Sequence, residues 1–444
     1  MLFRILYAGI LVVLMEFSPL AAQPYDRPSS TRSARSMVLA KRGAVCASQP
    51  LATAAGLAVL RKGGNAFDAA VATAAVLNVV EPMSTGIGGD MFVLAWSAKE
   101  KKLVGLNGSG RSAAKASVES YRAMGLNRIP TFGAHAVTVP GAFHGWCTLI
   151  DKYGSLPLKD ILADAIGYAE DGFPVSEVIA GNWRSGMRHQ GVPEFAKNYL
   201  VREGDQWRSP RLGEIFRQPD LGRTFRKLAT GGVEHFYRGD LGRRIASYLE
   251  SRGSLIRFDD LQKHSSTWVE PVSTEYKGHR LYELPPNGQG IVALEILNIL
   301  EAYDLRSLGH NSADYIHLLT EAKKLAFADR DTFVTDLDTR KLPVETLISK
   351  EYAAKMRARI DPKRAKRFPR STLDIGNDTV YLCTADSEGN MVSFINSIYY
   401  GFGSGLVVPG TGICLQNRGG LFRLANDHLN RIEPSKRPLH TIIP

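Results

Sequence analysis

The chain has 444 residues, of which 44% are apolar, 9% aromatic and 22% charged. That composition excludes a disordered, collagenous or disulfide-stapled miniature protein, and the length allows a large layered core. The net charge is +11, and much of the excess lies in Lys355, Arg357, Arg359, Lys363, Arg364, Lys366, Arg367 and Arg370. With Phe368 as its only aromatic and Pro362 and Pro369 inside it, this run reads as a mobile, solvated connector over residues 355–378, and no nucleic-acid partner is expected.

The amino terminus carries Arg4, an apolar stretch to Met15 and the small residues Ala21 and Ala22, the pattern of a removable secretory signal over residues 1–22. Glu16 and Pro19 cut the apolar run short of the roughly 20 residues that a spanning helix needs, so no stable membrane anchor is expected. The expected location is secreted or periplasmic, with residues 23–36 as a tether. Met37–Ala40 reads as a short strand. Ser48 with Pro50 predicts a helix start, ending at Gly63-Gly64, and Asn65 opens a second, alanine-rich helix that stops by Pro82. Gly86-Ile-Gly-Gly-Asp90 is a turn into the buried strand Met91–Trp96; with no Lys-Ser/Thr pair and no helix after it, it is not a phosphate loop.

Gly105–Arg111 is a further turn-rich strand end. Ala136–Ala142 reads as a strand entering a tight turn and Leu158–Ala169 as an amphipathic helix. Strands about Gly278–Leu284 precede helices at Ile291–Tyr303 and at Ser312–Asp331, the latter capped by Ser312. Helices layered on sheets are the expected α/β class. Four cysteines (Cys46, Cys147, Cys383 and Cys414) match no zinc spacing and read as free thiols, although they allow three pairings. The ten histidines show no metal-ligand spacing, and no Gly-x-Ser-x-Gly elbow occurs, so neither a metal nor a cofactor is expected. Asp329-Arg330 reads as a structural ion pair.

Asn377 to Ser397 is the most informative stretch. Thr379–Ala385 and Met391–Ile398 are β-rich, and Asp386-Ser-Glu-Gly-Asn390 supplies a hairpin turn between them. Thr379 therefore heads a strand directly after the basic connector. Taken with Ala47-Ser-Gln-Pro-Leu-Ala52, Gly63-Gly-Asn-Ala-Phe-Asp-Ala-Ala70, Glu81-Pro82, Gly86–Asp90, Val139-Pro-Gly141, Glu321–Arg330 and Lys436-Arg-Pro438, the chain resembles the γ-glutamyltransferase family of N-terminal nucleophile hydrolases from Met37 to Pro444.

The resemblance implies a four-layer αββα sandwich with added helical segments, matured from one precursor into a large subunit (37–378) and a small one (379–444). It implies that Thr379 attacks the carbonyl of Asp378, cuts its own backbone, and then serves as nucleophile with its freed α-amine as base. An amine of pKa about 7.7 to 8.0 is partly neutral near pH 7, which a threonine hydroxyl needs in order to react. The assisting hydroxyl falls on Ser397. Substrate-contacting positions fall on Ser109, Tyr399, Gly420, His440 and Thr441, with Arg111 and Arg418 as receivers of an anionic acyl group. The implied substrate is a small γ-glutamyl or related amide such as glutathione, with water or an amine as acceptor. The family's oxyanion glycine pair would fall past Pro444, so the small subunit reads as incomplete. The alternatives are a non-catalytic or incomplete exported relative, or an acylase for a different, dicarboxylic acyl group; fragments split at Asp378/Thr379 separate the enzyme from the inert relative.

Overall fold

The helix pair after the first strand shows how sequence builds the layer behind the main sheet. In the computed structural model, which describes residues 37–367 and 378–444, strand β1 (Gly43–Ala47) leads into α1 (Pro50–Arg61). Pro50 occupies the first helical position, where its missing N–H costs nothing, and the Gln49 Oε1 accepts from Leu51 N–H at 2.5 Å. Gln49, not Ser48, is thus the cap; the Ser48 hydroxyl donates to Glu81 Oε2 at 2.6 Å instead. Helix α2 (Ala66–Val80) starts at Asn65 with a reciprocal capping box to Asp68, and all fifteen of its residues are buried. Its alanines allow it to lie close against the sheet.

That sheet has six strands, all antiparallel: β1, then β7 (Asp378–Asp386), β8 (Met391–Tyr399), β2 (Asp90–Ser97), β3 (Lys102–Gly108) and β4 (Thr267–Val269). Helix α2 packs on β7 and β8, and α3 (Ala142–Tyr153) on β2 and β3. On the opposite face Phe92, Leu94 and Ile395 meet Leu284 and Ile442. Beyond them a hairpin, β5 (Val272–Tyr276) and β6 (His279–Glu283), lies against α4 (Gly290–Leu300), which packs on α5 (Ala313–Phe333) and α6 (Lys350–Arg357). The order is helix, sheet, sheet, helix, with a two-stranded second sheet among the described residues.

Further local expectations are corrected. Met37–Leu39 is exposed and not a strand, because the partner β7 ends at Asp386, opposite Gly43, leaving nothing for earlier residues to pair with. Residues 137–141 form no strand. Pro140 cannot donate to a ladder, and the segment turns in so that Gly141 and Ala142 N–H both reach Gly89 O at 2.8 Å. The 158–169 helix is broken at Leu162 into Leu158–Ile161 and Ala163–Asp171. Arg330 pairs with Asp331 at 2.7 Å, while Asp329 accepts from the Tyr352 hydroxyl, since neighbouring helix positions point about 100° apart. Of the basic run, Lys355–Arg357 is helical and Ile360 is buried in a small cluster; residues 368–377, like residues 1–36 where a signal and tether are expected, lie outside the described residues. All four cysteines are free thiols.

Asn65→Ala removes the cap oxygen and the 2.7 Å bond from Asn65 Nδ2 to Tyr153 O, and should cost about 1–2 kcal/mol in urea titration. Asn65→Ser, which keeps a capping oxygen, should recover about half of that; equal losses in the two variants would refute the assignment.

Candidate active site

Strand β7 alternates as a half-buried strand must. Val380, Leu382 and Thr384 are buried toward α2, and Thr379, Tyr381 and Cys383 face the other way. Its turn is fixed by Asp386, whose Oδ1 accepts from Glu388 and Asn390 N–H at 3.0 Å and whose Oδ2 accepts from Ala66 N–H, a first-turn donor of α2 with no partner inside the helix, at 2.9 Å. One carboxylate therefore sets both the hairpin and its docking on the helix. The ladder carries this register to Val380 opposite Asn396, and a shift between Asp378 and Val380 brings Asp378 opposite Tyr399. The result places Thr379 beside Ser397.

Thr379 Oγ1 donates to Ser397 Oγ at 3.0 Å. The same serine oxygen accepts from Tyr399 N–H and from Arg418 Nη2, each at 2.9 Å. Arg418 Nη1 donates to Thr441 Oγ1 at 2.6 Å, and its guanidinium lies 4.4 Å from the centre of the Tyr399 ring. Arg418 is fully buried, no carboxylate forms a salt bridge with it among the described residues, and its Nε lacks an acceptor. Burial lowers its pKa to about 10, against the pull of Asp90 and Tyr399. His440 Nε2 lies 3.1 Å from Asp90 Oδ2, both residues being fully buried, while Asp90 Oδ1 accepts from Gly110 N–H at 2.8 Å. Burial, then the nearby Arg418, takes His440 down to about 4, so its ring is neutral at pH 7.

Of the residues singled out from sequence, Thr379, Ser397, Tyr399, Arg418 and Thr441 form one cluster, with His440 next to Thr441 in the chain. Ser109 is buried but belongs to a separate network, its hydroxyl 2.7 Å from Asn107 Oδ1 with Asn287 alongside. Arg111 is engaged elsewhere, bonded to Asp338 at 2.8 Å. Gly420 lines a cavity of about 400 Å³ with Tyr399, Arg122, Arg128 and Arg423. Sequence reasoning missed Asp90, which ends the glycine turn and stands opposite Ser397 in the ladder; its place at the first position of a strand was the available signal. It also missed Gln289, which bonds Thr441 O at 2.6 Å and is held in turn by Arg330.

With this geometry in view, residues 52–444 match the family model described as gamma-glutamyltranspeptidase. The chain belongs to this family. It is 40% identical over 395 residues to the glutathione hydrolase-like YwrD proenzyme of Bacillus subtilis, covering 89% of this chain and 74% of the relative. It is 38% identical over 416 residues to the oxamate amidohydrolase proenzyme of Klebsiella pneumoniae, covering 90% and 75%. Among solved structures, a cephalosporin acylase from Bacillus halodurans superposes with a TM-score of 0.85 at 43% identity, over 95% of this chain and 77% of that one. The fold is that of the N-terminal nucleophile hydrolases, and hydrolase chemistry of the γ-glutamyltranspeptidase type is the activity the family carries.

The His440 shift has a signed consequence. The unfolded chain takes up a proton near pH 6.5, the folded chain only near about 4, so this contribution is complete above 6.5 and is lost as pH falls through that window. Glu283 and Glu295, pushed up by burial to about 8 and about 9, act in the opposite sense, so a variant comparison isolates the histidine. The stability of wild type minus that of His440→Asn, from urea midpoints, should be larger at pH 7 than at pH 5; a difference independent of pH would refute the buried neutral ring.

Proposed function

We propose that the chain is a self-processing N-terminal threonine amidohydrolase acting on small amides whose acyl half bears a carboxylate. The observation that carries this is the chain of contacts from Thr379 through Ser397 to Arg418, a buried guanidinium with no carboxylate in salt-bridge reach among the described residues. A desolvated cation of this kind is stabilised when an anion arrives, so binding selects a substrate that brings one.

In maturation, Thr379 Oγ1 attacks the Asp378 carbonyl carbon, the acyl group moves from nitrogen to oxygen, and water hydrolyses the ester. The α-amine of Thr379 is then free, and the chain is divided between Asp378 and Thr379. In turnover that amine takes the Thr379 hydroxyl proton as the oxygen attacks the substrate amide; the leaving amine departs with a proton, and water or an amine acceptor releases the acyl group. Ser397, receiving a backbone N–H and a guanidinium, holds the threonine oxygen toward the acyl site. The proenzyme names of the relatives support the maturation step.

The spacing favours a short acyl group. Only two hydrogen bonds, 3.0 and 2.9 Å long, separate the threonine oxygen from the guanidinium, which suits a carboxylate one or two carbons from the scissile carbonyl. The relative named for oxamate, a two-carbon half-amide, supports the same class. A γ-glutamyl amide such as glutathione is the second reading, favoured by the arginine-lined cavity beyond Tyr399, which offers a second place for a more distant carboxylate.

Wild type should resolve into two fragments on denaturing gels, Thr379→Ala into one, and Thr379→Ser into two more slowly; scission in the alanine variant would end the proposal. For Arg418→Met, kcat/KM on oxamate and on the half-amide of malonic acid should fall roughly ten- to hundred-fold, the loss of one charge-assisted contact, after correction for the processed fraction. A neutral amide of equal length should change little, and equal losses on both would remove Arg418 as the carboxylate receiver. Faster turnover of γ-glutamyl anilide than of the half-amides would select the second reading.

A further inference from the structure

The four cysteines divide into two kinds. Cys147 and Cys414 are buried, burial takes both thiols up to about 12, and Cys414 Sγ is bonded to Phe402 O at 3.1 Å, so both are inert packing groups. Cys46 is exposed and Cys383 half-buried, and they stand directly opposite one another in the β1–β7 ladder. Opposed residues of an antiparallel pair have Cα atoms roughly 4.5 or 5.5 Å apart, and both spacings lie within the range a disulfide spans. The side chains share a face, and burial followed by the neighbouring Cys46 thiol raises the pKa of Cys383. Among the described residues no third ligand joins them to make a metal site.

We propose that Cys46 and Cys383 are a dithiol site that closes to a disulfide with small-molecule disulfides. The Cys46 thiolate attacks one sulfur of the reagent, forming a mixed disulfide and releasing one thiol. Cys383 then displaces the second thiol, so one S–S bond replaces another and both protein protons leave on the released thiols. The bond ties β1, upstream of Asp378, to β7, whose second residue is Thr379. Where the backbone is cut at Asp378/Thr379, a step that rests on the function proposed above, this bond is a covalent link between the two subunits.

The test uses the purified chain, reduced, freed of reductant and exposed to oxidised glutathione at pH 8. Thiols titrated after denaturation should fall from four to two. Digestion without reductant should yield the Cys46 and Cys383 peptides joined and two hydrogens lighter than their sum. Cys46→Ser should abolish the joined peptide and Cys147→Ser should leave it. Recovery of Cys46 and Cys383 both as thiols, or of Cys46 only as a glutathione adduct, overturns the site. A single gel band that becomes two on reduction reports link and scission together. One band in both lanes with the joined peptide present reports the link without scission, so the two proposals fail separately.

Discussion

A guanidinium removed from water is the constraint around which the rest of this site is arranged. Arg418 gives up hydration worth several kcal/mol and receives two hydroxyl oxygens and an aromatic face, with its Nε left over. Neutral oxygens compensate a charge only partly. The arrangement holds because three separate segments bring their groups to one point: β8 supplies Ser397 and Tyr399, the 3-10 turn Arg418–Leu421 supplies Arg418, and the segment after Lys436-Arg437 supplies Thr441. Each has its own anchor. Gln416 Oε1 accepts from Arg418 N–H at 2.6 Å, Gln289 holds Thr441 O, and the β7–β8 register holds Ser397. The remaining imbalance is the unpartnered Nε of Arg418.

The Lys436-Arg437 pair fixes the segment that leads to Thr441. Lys436 Nζ is wholly buried and donates to Leu429 O, Arg431 O and Glu433. Burial alone would raise the Glu433 pKa, yet Lys436, Arg431 and Arg340 outweigh it and bring it to about 2. Arg437 donates to Ser109 O, Thr267 Oγ1 and Asp338. Lys436 thus ties the segment before His440 to its own preceding loop, and Arg437 clamps it to the ends of β3 and β4. The sheet itself places β7 between β1, from upstream of Asp378, and β8, so inter-strand bonds join segments far apart in the chain.

Much of this was legible in sequence where the code is local. The Asn65 cap, the Ser312 cap and the Asp386–Asn390 turn each depend on a few adjacent residues, and each element forms at the expected place. Where partners decide, local reading failed. Met37–Leu39 is as β-prone as any strand but is exposed and forms none, and the 137–141 segment is drawn away to meet Gly89. The site follows the same division. Thr379 and Ser397 lie on one hairpin, and the pairing of that hairpin follows from its turn. Asp90 and Gln289 reach the site through the ladder and through helix packing, which no spacing along the chain encodes.

Tyr399 shows how a residue against local preference marks the site. Its φ is 82°, a region in which a bulky side chain costs of order 1–3 kcal/mol and which asparagine tolerates better. A tyrosine there accepts the strain, and two contacts offset it: its N–H donates to Ser397 at 2.9 Å, and its ring lies under the Arg418 guanidinium. An asparagine would satisfy the backbone but offer no aromatic face to a buried cation. Tyr399 and Arg418 therefore act as a matched pair, the aromatic face offsetting part of the cost of burying the guanidinium.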